Sequence, residues 1–415
     1  MLSRRDFVKG GVALVSIGTT ANSLLKGAVA FAAQNPALAQ ASSGKILVLV
    51  QLAGGNDFTN TLVPYADPAY YAARPTLGTP AETLLKLDDS AALAPQLTGL
   101  KGLWDEGRVA FVRGVGYPNQ NYSHFKSMAI WEAGDPELKL DQGWLGRTLD
   151  SMESEAHDPF FGFNAGGSTP PELRGELVPV TAVANPNDFG FRERGQAVQP
   201  AAARSSTLMK LYEEYPANSP FGVLLETTAE TAVSASTTLT AVHQAYVPAV
   251  EYPDSSFAAG LKLIAETITG GLGIRVGHVT LGGFDTHTNQ QEDHPALLQT
   301  LDEGLTAFYR DLAAHGRADD VVVATWTEFS RRVEENANGS TDHGSAGGMI
   351  VLGNGVERGI YGDQPSLTNL IDRGNLLYTV DFRSVYATLI EKWLGVPSSD
   401  LMGQQWPMLP IFRAA

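Results

Sequence analysis

Uninterrupted apolar runs of four to six residues alternate along this chain with longer segments in which apolar residues recur every three or four positions. Runs of this kind are typical of parallel strands that helices cover on both faces, and the longer segments are typical of those helices. Strands separated by helices imply right-handed crossover connections. The pattern therefore predicts an α/β fold with a doubly wound, mainly parallel sheet flanked by helices.

The individual elements follow from the same pattern. The predicted strands are 46–50, 109–112, 159–163, 276–281, 321–326 and 349–352. The predicted helices are 95–106, 124–133, 257–269, 295–314 and 382–394. Residues 205–244 are rich in Ala, Leu, Thr and Glu, and they form either helices that cover the sheet or a small helical insertion. We expect one domain over residues 45–415, with 205–270 as the possible insertion.

The first residues have the features of an export signal. They read Ser3-Arg4-Arg5-Asp6-Phe7-Val8-Lys9 and precede a weakly apolar stretch rich in Gly and Ala, which ends in small residues at 30–32 or 37–39. A charged start, a modest apolar middle and a small-residue end are typical of a cleaved signal. The adjacent arginines before Phe7 indicate the twin-arginine route. We therefore expect 1–39 to be a leader that the twin-arginine translocase recognises, and the mature chain to be periplasmic or secreted.

Composition narrows the classes of partner. The formal net charge is −16, and the chain has no cysteine. Such an acidic surface repels the phosphate backbone of nucleic acids and anionic membranes. No apolar run after the leader approaches the about 18 residues of a membrane span. We expect no nucleic-acid partner and no stable membrane insertion of the mature chain, and thiol nucleophiles and thiolate metal ligands are excluded.

Polar side chains that can hold a metal follow three of the predicted strands. Asp57 follows the first strand, Asp285 and His287 follow strand 276–281, and Glu328 follows strand 321–326. The carboxyl ends of parallel strands share one edge of a sheet, so these groups are expected to meet there. Carboxylates held close together repel one another unless a cation lies between them, and carboxylate and imidazole groups are ligands for zinc and similar ions. The sequence therefore predicts a divalent metal site at this edge.

A long loop before strand 349–352 supplies one more candidate ligand. His343 lies in this loop and is expected to complete the set of metal ligands. The residues expected to orient these ligands through hydrogen bonds are Asp342, Asn60 and His124. Each candidate also has an ordinary interpretation as a turn former or a plain loop residue.

Ser123 stands at the start of the predicted helix 124–133 and has two interpretations. Its hydroxyl either caps the helix by accepting a hydrogen bond from a first-turn amide, or acts as a nucleophile that the helix end and a nearby cation activate. The local sequence favours the cap.

Taken together, these residues resemble an exported family of unknown function, DUF1501, from Lys45 almost to the end of the chain. The motifs that carry the resemblance are Gly54-Gly55-Asn56-Asp57, Ser123-His124-Phe125, Phe284-Asp285-Thr286-His287, Thr327-Glu328-Phe329 and Asp342-His343. That family in turn resembles the alkaline phosphatase and sulfatase superfamily. The resemblance implies an alkaline-phosphatase-like fold, Ser123 as the nucleophile, and metal ligands at Asp57, Asp285, His287, Glu328 and His343.

The chain departs from the phosphatase pattern at two places. Asp285 and His287 lie closer in sequence than the corresponding phosphatase ligands, and Phe329 follows Glu328 where phosphatases usually present a histidine. We therefore expect zinc at one site, and at the other a weaker site that either holds Mg²⁺ or Ca²⁺ or is empty. The Cys/Ser-x-Pro-x-Arg signature of sulfatases is absent, which disfavours a sulfatase proper.

These observations predict an exported metal-dependent hydrolase that acts on a phosphate or related anionic ester, either a small molecule or a polymer. Its nucleophile is either Ser123 or a metal-bound water. The alternative is a non-catalytic exported binding or assembly protein that retains the fold, since a fold alone does not confer an activity. A phosphoryl mutase or isomerase of the same architecture is a third hypothesis, which the mostly cytoplasmic location of sugar phosphates disfavours.

Overall fold

The computed structural model describes residues 44–152, 158–186, 222–372 and 374–413. The predicted leader 1–39 and residues 205–221 of the possible insertion lie outside the described residues. The division of the chain into a leader and one domain therefore stays a prediction. None of the helices in the described ranges combines the length and the apolar character that a membrane-spanning helix requires.

The described ranges contain five strands of six to eight residues and seven strands of two or three residues. The strands are β1 (Ile46–Ala53), β2 (Leu62–Val63), β3 (Leu85–Lys86), β4 (Ala92–Leu93), β5 (Val109–Gly116), β6 (Gly162–Asn164), β7 (Val180–Ala182), β8 (Val276–Gly282), β9 (Val321–Trp326), β10 (Gly347–Leu352), β11 (Gly359–Tyr361) and β12 (Val380–Asp381).

The helices lie between these strands. They are α1 (Phe58–Thr61), α2 (Pro68–Ala73), α3 (Thr98–Asp105), α4 (His124–Ala133), α5 (Trp144–Met152), α6 (Gly222–Ala245), α7 (Ser256–Thr269), α8 (Gln290–Ala314) and α9 (Phe382–Thr388). A 3₁₀ turn covers Pro171–Leu173, and a π-helical segment, Leu389–Leu394, continues α9.

The main sheet is mixed and mainly parallel, as the sequence predicts. Its strand order is β11-β5-β10-β9-β1-β8-β6-β7, and β12 pairs with the end of β5. β10 runs antiparallel to both β5 and β9, whereas the other pairs of this sheet are parallel. A small second sheet has the order β2-β4-β3. The antiparallel β10 is a feature that the apolar pattern did not distinguish, because both strand directions give the same buried run.

Helices cover both faces of the main sheet, which confirms the doubly wound layout. Along β1 the side chains of Ile46, Val48 and Val50 face one core, and those of Leu47 and Leu49 face the other. The first core contains residues of α3, α7 and α8, and the second contains residues of α4, α5 and α9. Because successive residues of a strand point to opposite faces, a strand buried on both sides reads as a continuous apolar run.

The described part of 205–270 contains the two helices α6 and α7, which pack with the sheet layer. α7 contacts α8 and β8, and α6 contacts α7. Phe257, Leu261 and Ile264 of α7 are buried in the first core. α7 therefore belongs to the layer that covers the sheet.

Candidate metal centre

The sheet topology brings distant segments of the chain to one edge. β1, β8 and β9 end at the same edge because β1 pairs in parallel with both neighbours. β5 also ends there, and His124 begins α4 shortly after it. β10 runs the opposite way, so His343, which precedes β10, reaches the same edge.

Three side chains at this edge form a group that could hold a metal ion. One ligand atom from each of His124, Asp285 and His343 lies within 4.8 Å of the others. The Nε2 atom of His124 is 3.3 Å from Oδ2 of Asp285, and the Nε2 atom of His343 is 3.2 Å from Oδ1. His287 adds a further donor, because its Nε2 atom is 3.1 Å from Oδ1 of Asp285 and 2.8 Å from Nε2 of His343.

The other ring nitrogen of each histidine faces an oxygen acceptor. Nδ1 of His343 is 2.8 Å from the carbonyl oxygen of Tyr122, and Nδ1 of His124 is 2.7 Å from Oε1 of Glu328. Nδ1 of His287 lies 3.4 Å from Oδ1 of Asp342. A carbonyl oxygen only accepts, so Nδ1 of His343 carries its proton and Nε2 presents a lone pair. This arrangement, an acceptor behind each imidazole, is the one that orients histidines toward a metal.

These donors fit a divalent cation. Two donors on a tetrahedral zinc ion, each at about 2.0 Å, are separated by about 3.3 Å, which is close to the distances of 3.1 to 3.3 Å between the Asp285 oxygens and the three imidazoles. Nε2 of His124 is buried and has no hydrogen-bond partner among the described residues. A cation beside Asp285 would satisfy this nitrogen, and nitrogen with carboxylate oxygen is a donor set suited to zinc.

Arg331 is a positioning residue that the sequence did not single out. Its buried guanidinium donates to Oδ1 of Asp285 at 2.9 Å and to the carbonyl oxygens of Phe284 at 2.8 Å and Gly55 at 2.8 Å. Burial opposes ionisation of Asp285, but the hydrogen bond from Arg331 and its positive charge help to lower the pKa of this carboxyl to about 2. Burial also lowers the pKa of His343, which favours its neutral, metal-binding form. Asp285 is therefore charged and His343 neutral at pH 7.

Glu328 lies directly behind the group. Its carboxylate accepts from the backbone N–H of Gly54 at 3.0 Å and binds His124 as described above. Gly54 has φ +118°, and a Cβ there would come within 2.4 Å of the backbone nitrogen of Asp285. Only glycine therefore permits the close approach of the loops after β1 and β8. The ring of Phe329 packs on His124 and His343, with centroids 4.8 and 4.5 Å away.

Asp57 is not a member of this group, although the sequence predicts it as a ligand. Its buried carboxylate is 2.6 Å from Nη1 of Arg74 and accepts from Nε2 of Gln290 at 2.6 Å. Burial alone would raise the pKa of Asp57, but the charge of Arg74 and the other interactions of this carboxylate, including its hydrogen bonds with Arg74 and Gln290, together lower the pKa. Asn60 accepts from the same guanidinium at 2.7 Å. Arg74 therefore supplies beside Asp57 the positive charge that we expected from a metal ion.

The two remaining predicted residues lie at the rim. Ser123 is exposed and precedes α4 as its N-cap residue with an extended backbone, but its side chain makes no capping hydrogen bond. Asp342 is half exposed and lies between His287 and Arg332, whose Nη1 is 3.5 Å from Oδ2 of Asp342. The structure thus brings together His124, Asp285, His287, Glu328, Asp342 and His343, and it holds Asp57 and Asn60 in a neighbouring ion-pair network.

Comparison with known proteins gives one family match. The model of a family described as a protein of unknown function, DUF1501, matches residues 44–399 of the chain. Curated proteins give no match to the sequence.

Solved structures resemble the chain in fold at low sequence identity. Ps i-CgsB in complex with k-i-k-neocarrahexaose is 9% identical, with a TM-score of 0.43 over 88% of this chain and 75% of that one. The sulfatase PsFucS1 from Pseudoalteromonas sp. is 10% identical, with a TM-score of 0.40 over 94% and 75%. A protein in the alkaline phosphatase superfamily from Vibrio parahaemolyticus is 9% identical, with a TM-score of 0.37 over 87% and 69%. At such low sequence identity these structures give no information about the chemistry of the site, which depends on the residues of this chain.

Proposed function

Because this chain belongs to the DUF1501 family of proteins of unknown function, its activity has to be derived from its own site, and we propose that it is a hydrolase that uses one divalent cation to cleave a phosphate or related anionic ester. The observation that carries the proposal is the convergence of His124, Asp285 and His343 on one point at the sheet edge. Zinc is the ion that their nitrogen and oxygen donors suit best.

A single cation is favoured over two. Asp57, the carboxylate that a second ion would need, already forms a buried ion pair with Arg74. A second divalent ion at Asp57 would have to displace this guanidinium, which also donates to Asn60 and to the carbonyl oxygen of Val333. Breaking a buried pair leaves an uncompensated charge and is strongly unfavourable.

Each residue around the cation would have a separate role in catalysis. A divalent cation held here would polarise an ester oxygen and lower the pKa of a hydroxyl group or water in contact with it. Asp285 would hold the cation, with Arg331 fixing its carboxylate, and Glu328 would keep Nε2 of His124 free of a proton. The exposed hydroxyl of Ser123 lies beside His124 at the positive end of α4 and is the candidate nucleophile of the chain itself.

A metal analysis combined with an ester panel tests the proposal. Purified protein should contain about one zinc ion per chain after incubation with excess zinc and desalting. It should hydrolyse at least one of p-nitrophenyl phosphate, bis-p-nitrophenyl phosphate and p-nitrophenyl sulfate. Asp285→Asn and His343→Ala should lose bound metal and at least about 100-fold in kcat/KM. Asp254→Asn, which changes an exposed carboxylate away from the site, is the matched control and should retain both.

The same panel separates the competing hypotheses. A drop of about 100-fold in kcat for Ser123→Ala with the metal retained would make Ser123 the nucleophile, and a near-normal kcat would leave this role to water. Metal binding without turnover of any ester would support the alternative, a non-catalytic binding or assembly protein. Folded protein that binds no divalent metal would contradict the metal centre itself.

We also propose that the protein is exported by the twin-arginine translocase and acts in the periplasm or outside the cell. Support comes from Arg4 and Arg5 directly before Asp6 and Phe7, and from the small residues that end the leader. That route is compatible with a chain that folds and takes up its metal before transport.

A further inference from the structure

A partly open pocket lies beside the start of α8 and shares no lining residue with the candidate metal centre. Its volume is about 180 Å³, and its walls come from α1, from the loops 76–80 and 94–96, and from the first turns of α8. At about 30 Å³ per water molecule, this space has the size of a small polyol or a monosaccharide.

One wall of the pocket carries a buried imidazole with an unused acceptor. His294 is 3% exposed and its Nε2 atom is 2.9 Å from Oδ1 of Asn56. The amide nitrogen of Asn56 donates to Thr61, so its oxygen faces His294 and Nε2 carries the proton. Nδ1 of His294 then presents a lone pair, and no described residue donates to it. Burial lowers the pKa of His294 to about 4, so the ring is neutral at pH 7.

Other polar groups of the lining are also without protein partners. Pro295 has no N–H, so the carbonyl of Gln291 lacks the hydrogen bond that an α-helix would give it from residue 295. The hydroxyl of Thr76 and the side-chain amide of Gln96 make no hydrogen bond within the described part of the chain, whereas the side chain of Thr79 is hydrogen-bonded to Tyr70. The pocket therefore offers both acceptors and donors to a ligand.

The charge and shape of the lining limit the kind of ligand. No Asp, Glu, Lys or Arg lines the pocket, and Leu77, Pro80 and Leu298 provide apolar wall between the polar groups. A charged ligand would lose its hydration without gaining a counter-charge, and a purely apolar one would leave the polar groups unpaired. We infer that this pocket binds an uncharged, hydroxyl-rich small molecule of the polyol or monosaccharide class.

The pocket is in contact with both histidine loops of the metal centre. Gln290 lines it, donates to Oδ2 of Asp57 at 2.6 Å and accepts from Oγ1 of Thr341 at 2.5 Å. His287 precedes Gln290 by three positions and His343 follows Thr341 by two. A ligand against Gln290 would therefore stiffen both loops, yet the pocket would bind it whether or not the metal centre is catalytic.

Ligand-observed NMR on the full chain tests the inference. The uncharged probes are D-glucose, D-galactose, myo-inositol and glycerol. Two charged compounds serve for comparison, the anion glucose 6-phosphate and the cation glucosamine. At least one uncharged probe should show saturation transfer, and its affinity should exceed that of both charged compounds by at least about tenfold. The ¹⁵N signal of Nδ1 of His294 should move on binding, because this nitrogen becomes a hydrogen-bond acceptor.

Two variants and one treatment locate the binding. Gln96→Trp fills the pocket from its partly exposed rim and should weaken binding at least about tenfold. Thr79→Val removes one hydroxyl from the lining with little change of shape and should also weaken binding. Thr98→Val, an exposed threonine that does not line the pocket, should bind as the parent does. Binding should also persist after chelation of metal with EDTA. Absence of binding by all four uncharged probes, binding unchanged in Gln96→Trp, or binding lost on chelation would each overturn the inference.

Discussion

Buried ionisable side chains determine how charge is distributed around the site. Asp57 and Arg74 are both buried, and each compensates the other at 2.6 Å. His278 and Glu172 form a second buried contact of 2.8 Å on the opposite core, with Nδ1 of His278 bonded to Oδ1 of Asn164. Asp285 differs from these groups because its side chain is half exposed. A partly exposed carboxylate with three imidazoles can exchange a cation with solvent, which a sealed ion pair does not allow.

The pH dependence of stability follows from His294. Its pKa falls from 6.5 to about 4 on folding because of burial. Between these values the unfolded chain binds a proton that the folded chain does not, so stability decreases as the pH falls from 6.5 to 4. The contribution of this residue is about 3 kcal/mol over that window. His294→Gln should remove it, so the free energies of unfolding of variant and parent should converge on acidification.

Urea unfolding of both proteins in EDTA, at intervals from pH 8 to pH 4, measures this effect. At pH 8 the imidazole is neutral in both states, so the difference between variant and parent there reports packing alone and is subtracted. If the free energies of unfolding of variant and parent changed in parallel between pH 6.5 and pH 4, this result would be incompatible with a neutral buried His294.

At the level of elements, helix α3 depends on a side chain from another helix. Its N-cap residue, Leu97, has no side chain that can cap. Asp302 of α8 accepts instead from the backbone N–H groups of Gly99 at 2.8 Å and Leu100 at 2.7 Å. Burial raises the pKa of Asp302 to about 6, so the carboxylate is charged at pH 7. This contact between helices joins α3 to α8 on the same face of the sheet.

Removing this contact should destabilise the fold. Asp302→Ala should lower the free energy of unfolding at pH 7 by about 1 to 2 kcal/mol, measured by urea denaturation. Asp302→Asn should cost less, because its amide oxygen still accepts one of the two hydrogen bonds. Asp105→Asn on α3 is the matched control, since Asp105 is exposed and, among the residues that the structure describes, forms an ion pair only with Lys101 on the same helix. Equal stability of Asp302→Ala and Asp105→Asn would show that the contact contributes nothing.

The elements with continuous apolar runs are those that the sequence predicts best. The strands β1, β5, β8, β9 and β10 each contain the run predicted for them, and all except β9 are longer than that run. α8 is longer than expected, because it begins at Gln290 and includes Pro295, which the sequence places at the first turn. A proline in the second turn removes one hydrogen bond without ending a helix of 25 residues that packs on both α7 and α3.

For the molecule as a whole, the leader gives a prediction about its location. Arg4→Lys together with Arg5→Lys keeps the charge but removes the arginine pair, so the exported fraction of the chain should fall at least about tenfold. Immunoblots of periplasmic and cytoplasmic fractions measure this, with uncleaved precursor expected inside the cell. Lys9→Arg changes a neighbouring basic residue and should leave export unchanged. Normal export of the double variant would contradict the twin-arginine route.

The fold class and the family were accessible from the sequence, and the composition of the site was accessible only in part. Asp285, His287, Glu328 and His343 were predicted at one edge because each adjoins an apolar run. His124 was expected only as a supporting residue, since nothing in a helix start indicates that its Nε2 atom faces Asp285 at 3.3 Å. Arg74 had no signal, and Arg331, which ends the motif Thr327-Glu328-Phe329-Ser330-Arg331 of the family resemblance, was given no role, because long side chains reach across the fold to partners far away in sequence.

The sequence by itself determined the long strands of the main sheet, because burial on both faces of a parallel sheet requires apolar residues at successive positions, whereas the short strands gave no such run. It also determined that polar residues would gather where those strands end. Only the tertiary structure decided which charges meet. A guanidinium within hydrogen-bond distance of Asp57 neutralises it, and three imidazoles around Asp285 create a place for a cation. Coulomb interactions depend on distance and surroundings, and for residues far apart in the chain these quantities exist only after folding.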